Sequence, residues 1–121
     1  MPSSSPYRTP DPYTDIRNLK WSPAEKAIAG KAFDLALRRE LDAVIREAKD
    51  RAVKVEQSSE LWDLEHYLTQ RRQDINRKYD YRYSVLLFVF ANLVREGRVS
   101  EEELRSLGED KLAYIRWQTT P

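Results

Sequence analysis

The sequence predicts an all-α fold: a long helical hairpin leading into a compact helical head, paired as a homodimer. Three observations carry the prediction. After Pro23 no proline occurs until the last residue, and Gly30 is the one glycine before Gly97. Across residues 23 to 79, apolar side chains recur at steps of three and four, the period of a helix. The single apolar run short enough for a strand, SVLLFVFA at 84–91, has no second candidate strand to pair with.

Residues 1–21 hold four of the six prolines together with Ser, Thr and Asp, a composition that favours extended or disordered backbone. They read as an unstructured arm, with Tyr7, Tyr13 and Ile16 as the residues able to dock. A single all-helical domain is expected over 22–121. Its first helix, 22–57, opens with Ser22 as cap, Pro23 where a missing N–H is harmless, and Glu25 three residues after the serine, a capping box. Phe33, Leu37, Leu41, Val44, Ala48, Ala52 and Val55 fall on one side of this helix, which spans roughly 50 Å. Ile28, Leu35 and Ile45 lie off that stripe, so a second apolar contact is expected, and an antiparallel dimer would supply it.

The second helix, 59–79, starts at Ser58 or Ser59 with Glu60 in its first turn. Leu61, Leu64, Leu68, Ile75 and Tyr79 fall within about 60° of one another and define its apolar stripe. Trp62 sits more than about 100° away, on a face shared with His66, Thr69, Gln73 and Asn76, with Glu65 and Arg72 between the two faces. A tryptophan on a polar helix face is explained either by contact with another chain or by burial under the first helix. The head, 80–117, follows. Tyr83 to Arg95 is apolar nearly all round and should be its central helix, stopped by Gly97. Ser100 and Glu103 form another capping box for a short helix to Leu107, Gly108 ends it, and Glu109 to Trp117 makes the last.

Composition narrows the chemistry. At 121 residues the chain is one domain, near the size at which a partner subunit often completes burial. A net charge of +1 against 34% charged residues implies no bulk attraction to polyanions, so electrostatic recognition must be local. Without cysteine there is no disulfide and no thiol chemistry, and with His66 as the single histidine any metal would rest on carboxylates. The N-terminus lacks a secretory signal, and the apolar run Val85 to Ala91 is far below the ~18 residues needed to span a bilayer, so a soluble protein is expected. Asp63, Glu65 and His66 are the one acid–base grouping, but neighbouring helical residues point about 100° apart, and neither an HExxH pair nor a Gly-rich phosphate loop exists. No catalytic residue, cofactor or metal is expected. Arg71, Arg72, Arg77, Lys78 and Arg82 interleaved with Tyr79, Tyr81 and Tyr83 have the composition of a single-strand nucleic-acid binder, diluted by Asp74 and Asp80. Trp62, Arg72 and the tyrosines are also the types that concentrate energy at protein interfaces, and that protein-binding reading fits best.

The run LWDLEHYL at 61–68, Arg72, KYDYRYSVLLFVFANLVREG at 78–97 and DKLAYI at 110–115 closely resemble the fluorescence recovery protein family of cyanobacteria, over about Ser22 to Arg116. The resemblance implies an all-helical homodimer without catalytic activity that binds the photoactivated orange carotenoid protein, through that protein's C-terminal domain. It implies that the chain speeds the partner's return to its inactive orange form and helps detach it from the phycobilisome. The implied location is cytoplasmic, including the cytoplasmic face of the thylakoid membrane. Carried across, Trp62 and Arg72 match partner-contacting positions, Phe88 an aromatic position of the head, and Leu61 an apolar position at the dimer interface. Glu65 and His66 stand where the family can place a histidine and then an aspartate, so their roles can be exchanged, and Tyr114 stands where a lysine can occur. The expected partner site is thus Trp62, Glu65, His66, Arg72, Phe88 and Tyr114, and the expected dimer interface Leu61, Trp62, Leu64 and Leu68. The alternative is a helical dimeric adaptor for another protein or for RNA through the Trp62/Arg72 face.

Overall fold

The computed structural model describes residues 16–121, and among them all regular structure is helical. Four α-helices follow one another: α1 (Pro23–Val53), α2 (Ser58–Lys78), α3 (Leu86–Arg95) and α4 (Glu109–Thr119). The capping box at the start of α1 forms as its sequence dictates: Glu25 N–H donates to Ser22 Oγ at 3.1 Å, and Ser22 N–H donates to Glu25 Oε1 at 2.9 Å. α1 stops at Val53 rather than 57, and α2 is capped at Gln57 rather than at a serine, because the Glu60 carboxylate reaches back to accept from the Gln57 N–H at 3.0 Å.

α1 and α2 form the hairpin, while the first half of α1 continues into the head. The head core is Ala29, Ala32, Phe33 and Ala36 of α1, the inward residues of α3, then Val99, Leu104 and Leu107, and Leu112 and Ile115 of α4. This corrects the expectation that the last three helices build the head alone. α3 buries Leu86, Leu87, Val89, Phe90, Ala91 and Leu93, which makes it central as its all-round apolar sequence required. Its first turn begins later than expected, at Leu86, since 83–85 form a turn. Gly97, at φ +74°, closes it: the Arg98 N–H bonds to Leu93 O at 2.9 Å and the Gly97 N–H to Val94 O at 3.1 Å, the αL stop that glycine adopts without steric cost. The segment read as a short helix to Leu107 is a single 3₁₀ turn, Glu102–Leu104, although its Ser100–Glu103 box is made.

The apolar stripes of the hairpin behave differently from the head. Of the expected α1 stripe only Phe33 is buried; Leu41 is exposed, as is Ile45, and the stripe turned inward is Ala29, Phe33, Ala36 and Glu40. α2 has no buried residue at all. Its contact with α1 is made by polar and aromatic side chains, Arg71 and Lys78 on Glu40 and Tyr67 under the Arg51 guanidinium at 4.1 Å, whereas Leu61, Leu64 and Leu68 lie on a groove that no α1 residue lines. One chain therefore leaves the leucine end of the α2 stripe on an open groove, while Ile75 is half-buried and Tyr79 packs on Phe33.

Residues 16–21, assigned to the arm from sequence, pack on the head: Ile16, Leu19 and Trp21 lie against the core, with the Trp21 ring 5.2 Å from that of Tyr83. Tyr7 and Tyr13 lie outside the described residues. Lys111 holds this segment down. Its ammonium, 2% exposed, donates to Lys20 O at 2.6 Å, pairs with Glu25 Oε2 at 3.0 Å and lies 5.1 Å from the centre of the Trp21 ring. Gly108, expected to end a helix, is instead the cap of α4. A Cβ there would stand 2.7 Å from Asp110 Oδ1 and 2.9 Å from Glu25 Oε2, which is the space the Gly108 N–H uses to reach Glu25 at 2.7 Å.

Two of these carboxylates make the fold sensitive to acid. Burial pushes Glu25 up, but the Ser22 and Gly108 amides and Lys111 outweigh it and bring it from 4.5 down to about 2. The bidentate Arg39 pair, at 2.9 and 2.8 Å, and the Ser100 amide likewise bring Glu103 down to about 2. A carboxylate depressed by folding stabilises the native state fully above its unfolded pKa and loses that contribution as pH falls through the folded one. Stability is therefore expected to decline as pH drops from about 4.5 toward 2, and Glu103→Gln should flatten that decline; urea titrations followed by circular dichroism at several pH values measure it.

Candidate protein-interaction site

α2 presents one continuous unpartnered face. Leu61, Leu64, Glu65, Leu68, Thr69 and Arg72 line a shallow groove whose floor is leucine and whose end is an arginine. Trp62 stands beside it, 65% exposed, which rules out burial under α1, the other reading open from the sequence. His66 follows one turn on, also exposed. The structure thus places Trp62, Glu65, His66 and Arg72 on one helix within about three turns. Among the described residues Arg72 makes no ion pair, and neither do Glu65 and His66.

The neighbouring basic residues are in a different state. Arg71 is engaged with Glu40 and Asp74, Arg77 with Asp74, Lys78 with Glu40 at 2.9 Å and Glu96 at 2.7 Å, and Arg82 with Asp80 at 2.5 Å. The three tyrosines are used as well: the Tyr79 hydroxyl donates to Ala36 O and lies 3.0 Å from Glu40 Oε1, Tyr81 packs edge-on to Phe33 at 4.8 Å, and Tyr83 packs on Trp21. Of the five cations that give residues 71–82 their nucleic-acid-like composition, four are neutralised inside the chain and Arg72 is not. A phosphate backbone needs several free cations in a row, so this stretch is not arranged to hold one.

Phe88 and Tyr114 belong to the head. Phe88 turns outward from α3, 48% exposed, while its neighbours Val89 and Phe90 are buried. Tyr114 is half-buried on α4, its hydroxyl accepting from Gln118 Nε2 at 3.2 Å and its ring centre 6.0 Å from that of Trp117, which is itself exposed. The site residues therefore form two groups, one on the stalk helix α2 and one on the head.

Sequence reasoning missed Glu40. Its carboxylate is 1% exposed and meets Arg71, Lys78, the Tyr79 hydroxyl and Arg98, whose Nε stands 3.3 Å from Oε1. Burial alone would raise this carboxyl; the bonds from Lys78, Arg71 and Tyr79 prevail and lower it, so it is charged. Burial, and after it the same carboxylate, drives the Tyr79 hydroxyl well above the ordinary phenol range. The signal was present: Glu40 continues the Ala29, Phe33, Ala36 row, a charge at the next step of a buried stripe.

Among the described residues no group of three or more His, Asp or Glu side chains is placed to hold a metal ion, and no helix is long and apolar enough to cross a membrane. The comparisons with known proteins agree with the helical architecture. Residues 21–119 match the family model described as photoprotection regulator fluorescence recovery protein. The fluorescence recovery protein of Synechocystis sp. is 42% identical over 96 residues, covering 79% of this chain and 88% of that protein. Among solved structures, the fluorescence recovery protein of Fremyella diplosiphon superposes with a TM-score of 0.79 at 40% identity over 83% of this chain and 98% of its own, and that of Synechocystis with 0.79 at 40% over 82% and 97%. With nearly all of the described chain inside the match and a common fold, the chain belongs to the fluorescence recovery protein family of photoprotection regulators.

Proposed function

We propose that this chain is a non-enzymatic regulator that binds the photoactivated orange carotenoid protein, through that partner's C-terminal domain, and accelerates its return to the inactive orange form. Detachment of the partner from the phycobilisome and recovery of antenna fluorescence follow from the same binding. The observation that carries the reading is the α2 face: a family member that leaves Trp62 65% exposed beside an unpaired Arg72 offers the residue types in which interface energy concentrates. Acceleration without bond-making requires the regulator to bind the partner's compact arrangement, and the barrier leading to it, more tightly than its open one; equal affinity for both would shift nothing. Trp62, Glu65, His66 and Arg72 supply the stalk contact, and Phe88 and Tyr114 the head contact.

The active unit is a homodimer joined through Leu61, Leu64 and Leu68, with Trp62 at the edge of the interface. The uncovered groove on α2 supports this, because a leucine-lined helix face that its own chain does not bury is the surface a second copy would cover.

Adding the protein to photoactivated orange carotenoid protein and following the red-to-orange absorbance change in the dark tests the reading. Recovery is expected to accelerate with increasing protein, and an unchanged decay at several-fold excess would overturn it. Arg72→Gln is expected to weaken the acceleration by about tenfold at fixed concentration with helical content unchanged, since an exposed unpaired arginine contributes to contact and not to folding. A wild-type rate in that variant would remove Arg72 from the site.

A further inference from the structure

The two groups of site residues sit on different helices. α2 leans on α1, and α3 packs on α4. Between α2 and α3 lie residues 79–85, which are not helical; Tyr79 leaves α2 at φ −100°, ψ 77°. A helix attached through such a connector could pivot unless something fastens it. Beside the ring contacts of Tyr67 with Arg51 and of Tyr79 with Phe33, the polar fastening converges on one carboxylate. Glu40 of α1 receives Arg71 and Lys78 from α2, the Tyr79 hydroxyl from the connector and the Arg98 guanidinium from the turn after α3. Lys78 carries the link onward to Glu96 at the end of α3, at 2.7 Å. A buried charged cluster of this kind adds little net stability over an apolar one, because desolvation offsets the attraction; the use best attested for it is fixing one register among several.

Resting on the reading above, in which both the α2 face and the head meet the partner, we propose that Glu40 is a positioning residue of the partner surface. By fastening α2 to the turn after α3, it holds the Trp62/Arg72 face and the Phe88 face in the one relative orientation in which a single partner molecule engages both. Two contacts on one rigid body bind with a high effective concentration for the second, and that gain disappears when the geometry is released. Glu40 touches no partner itself.

The absence of cysteine makes the test direct. Spin labels at Gln70→Cys on exposed α2 and Ser106→Cys on the exposed head, in full-length protein diluted with unlabelled chain, read the distance from stalk to head within one protomer. One narrow distribution is expected without further change and a clearly broader or shifted one in Glu40→Gln. An unchanged distribution in Glu40→Gln overturns the proposal whether or not the carotenoid protein binds, whereas failure of the recovery assay with wild-type protein strikes the functional reading. Binding supplies the second readout: Glu40→Gln should weaken association by about tenfold, and adding Phe88→Ala to it should cost little more, because a released head no longer contributes. Losses that multiply would mean that Glu40 acts only through general stability. Should Glu40→Gln fail to fold, Tyr79→Phe keeps the ring contact with Phe33 and removes only the hydroxyl bonds to Ala36 and Glu40, and the same two measurements apply to it, with smaller changes of the same kind expected and wild-type values in both overturning the proposal.

Discussion

Leu61→Glu is expected to leave a folded, helical chain that sediments as a monomer at micromolar concentration. Within one protomer Leu61 is 46% exposed and lines a groove formed by α2 residues, so the fold depends little on it; exposed substitutions of this kind usually change stability by less than about 0.5 kcal/mol. In the proposed dimer the same position is covered by the second copy. Each interface then acquires two carboxylates, and the effective cost of burying a charge without a partner is several kcal/mol per ion. At about 1.4 kcal/mol per tenfold, that weakens dimerisation by at least a hundredfold. Sedimentation velocity reads the association state and far-ultraviolet circular dichroism the fold. A dimer that persists in this variant would place the interface elsewhere, for example on the exposed Leu41, Ile45 and Val53 of α1.

The second large effect separates two phenylalanines two positions apart on α3. Phe90 is 0% exposed and sits in the core formed by α1, α3 and α4; Phe88 is 48% exposed. Phe90→Ala is expected to destabilise the protein by about 3–5 kcal/mol, the sum of lost burial and the cavity left in a closely packed head. For a domain of this size, whose total stability is about 5–15 kcal/mol, that brings the chain near its unfolding threshold. Phe88→Ala removes a ring that faces solvent and should shift stability by about 0.5 kcal/mol or less while lowering the recovery rate of the carotenoid partner. Chemical denaturation of both variants beside the recovery assay distinguishes them. Equal destabilisation would mean that Phe88 is packed, and equal loss of activity without destabilisation would mean that Phe90 is not.

Much of the α2 face is legible in the sequence. Trp62 was set apart by helical angle alone, since 100° per residue separates it from the leucines, and its exposure agrees. The capping boxes at Ser22 and Ser100 and the stop at Gly97 are readable because each depends on residues at most five apart. Arg72 was harder. It is adjacent to Arg71 and identical to it in type; that one is tied to Glu40 and Asp74 and the other is unpaired follows from where α1 stands, which periodicity does not report.

The sequence by itself determined the helical class, the near-exact starts of α1 and α4 and the central place of α3, because these rest on propensity, local caps and the period of apolar residues. Tertiary structure alone decided which stripes were covered. The apolar period on α1 and α2 marks a face, but whether it is buried depends on a neighbour that arrives from far along the chain: Ala29 to Ala36 receive the head, Glu40 receives three cations from residues 31 to 58 positions away, and the α2 leucines line a groove made by α2 residues. Local rules set where helices form; burial and charge pairing are properties of long-range contact, and there the stalk and the head part ways.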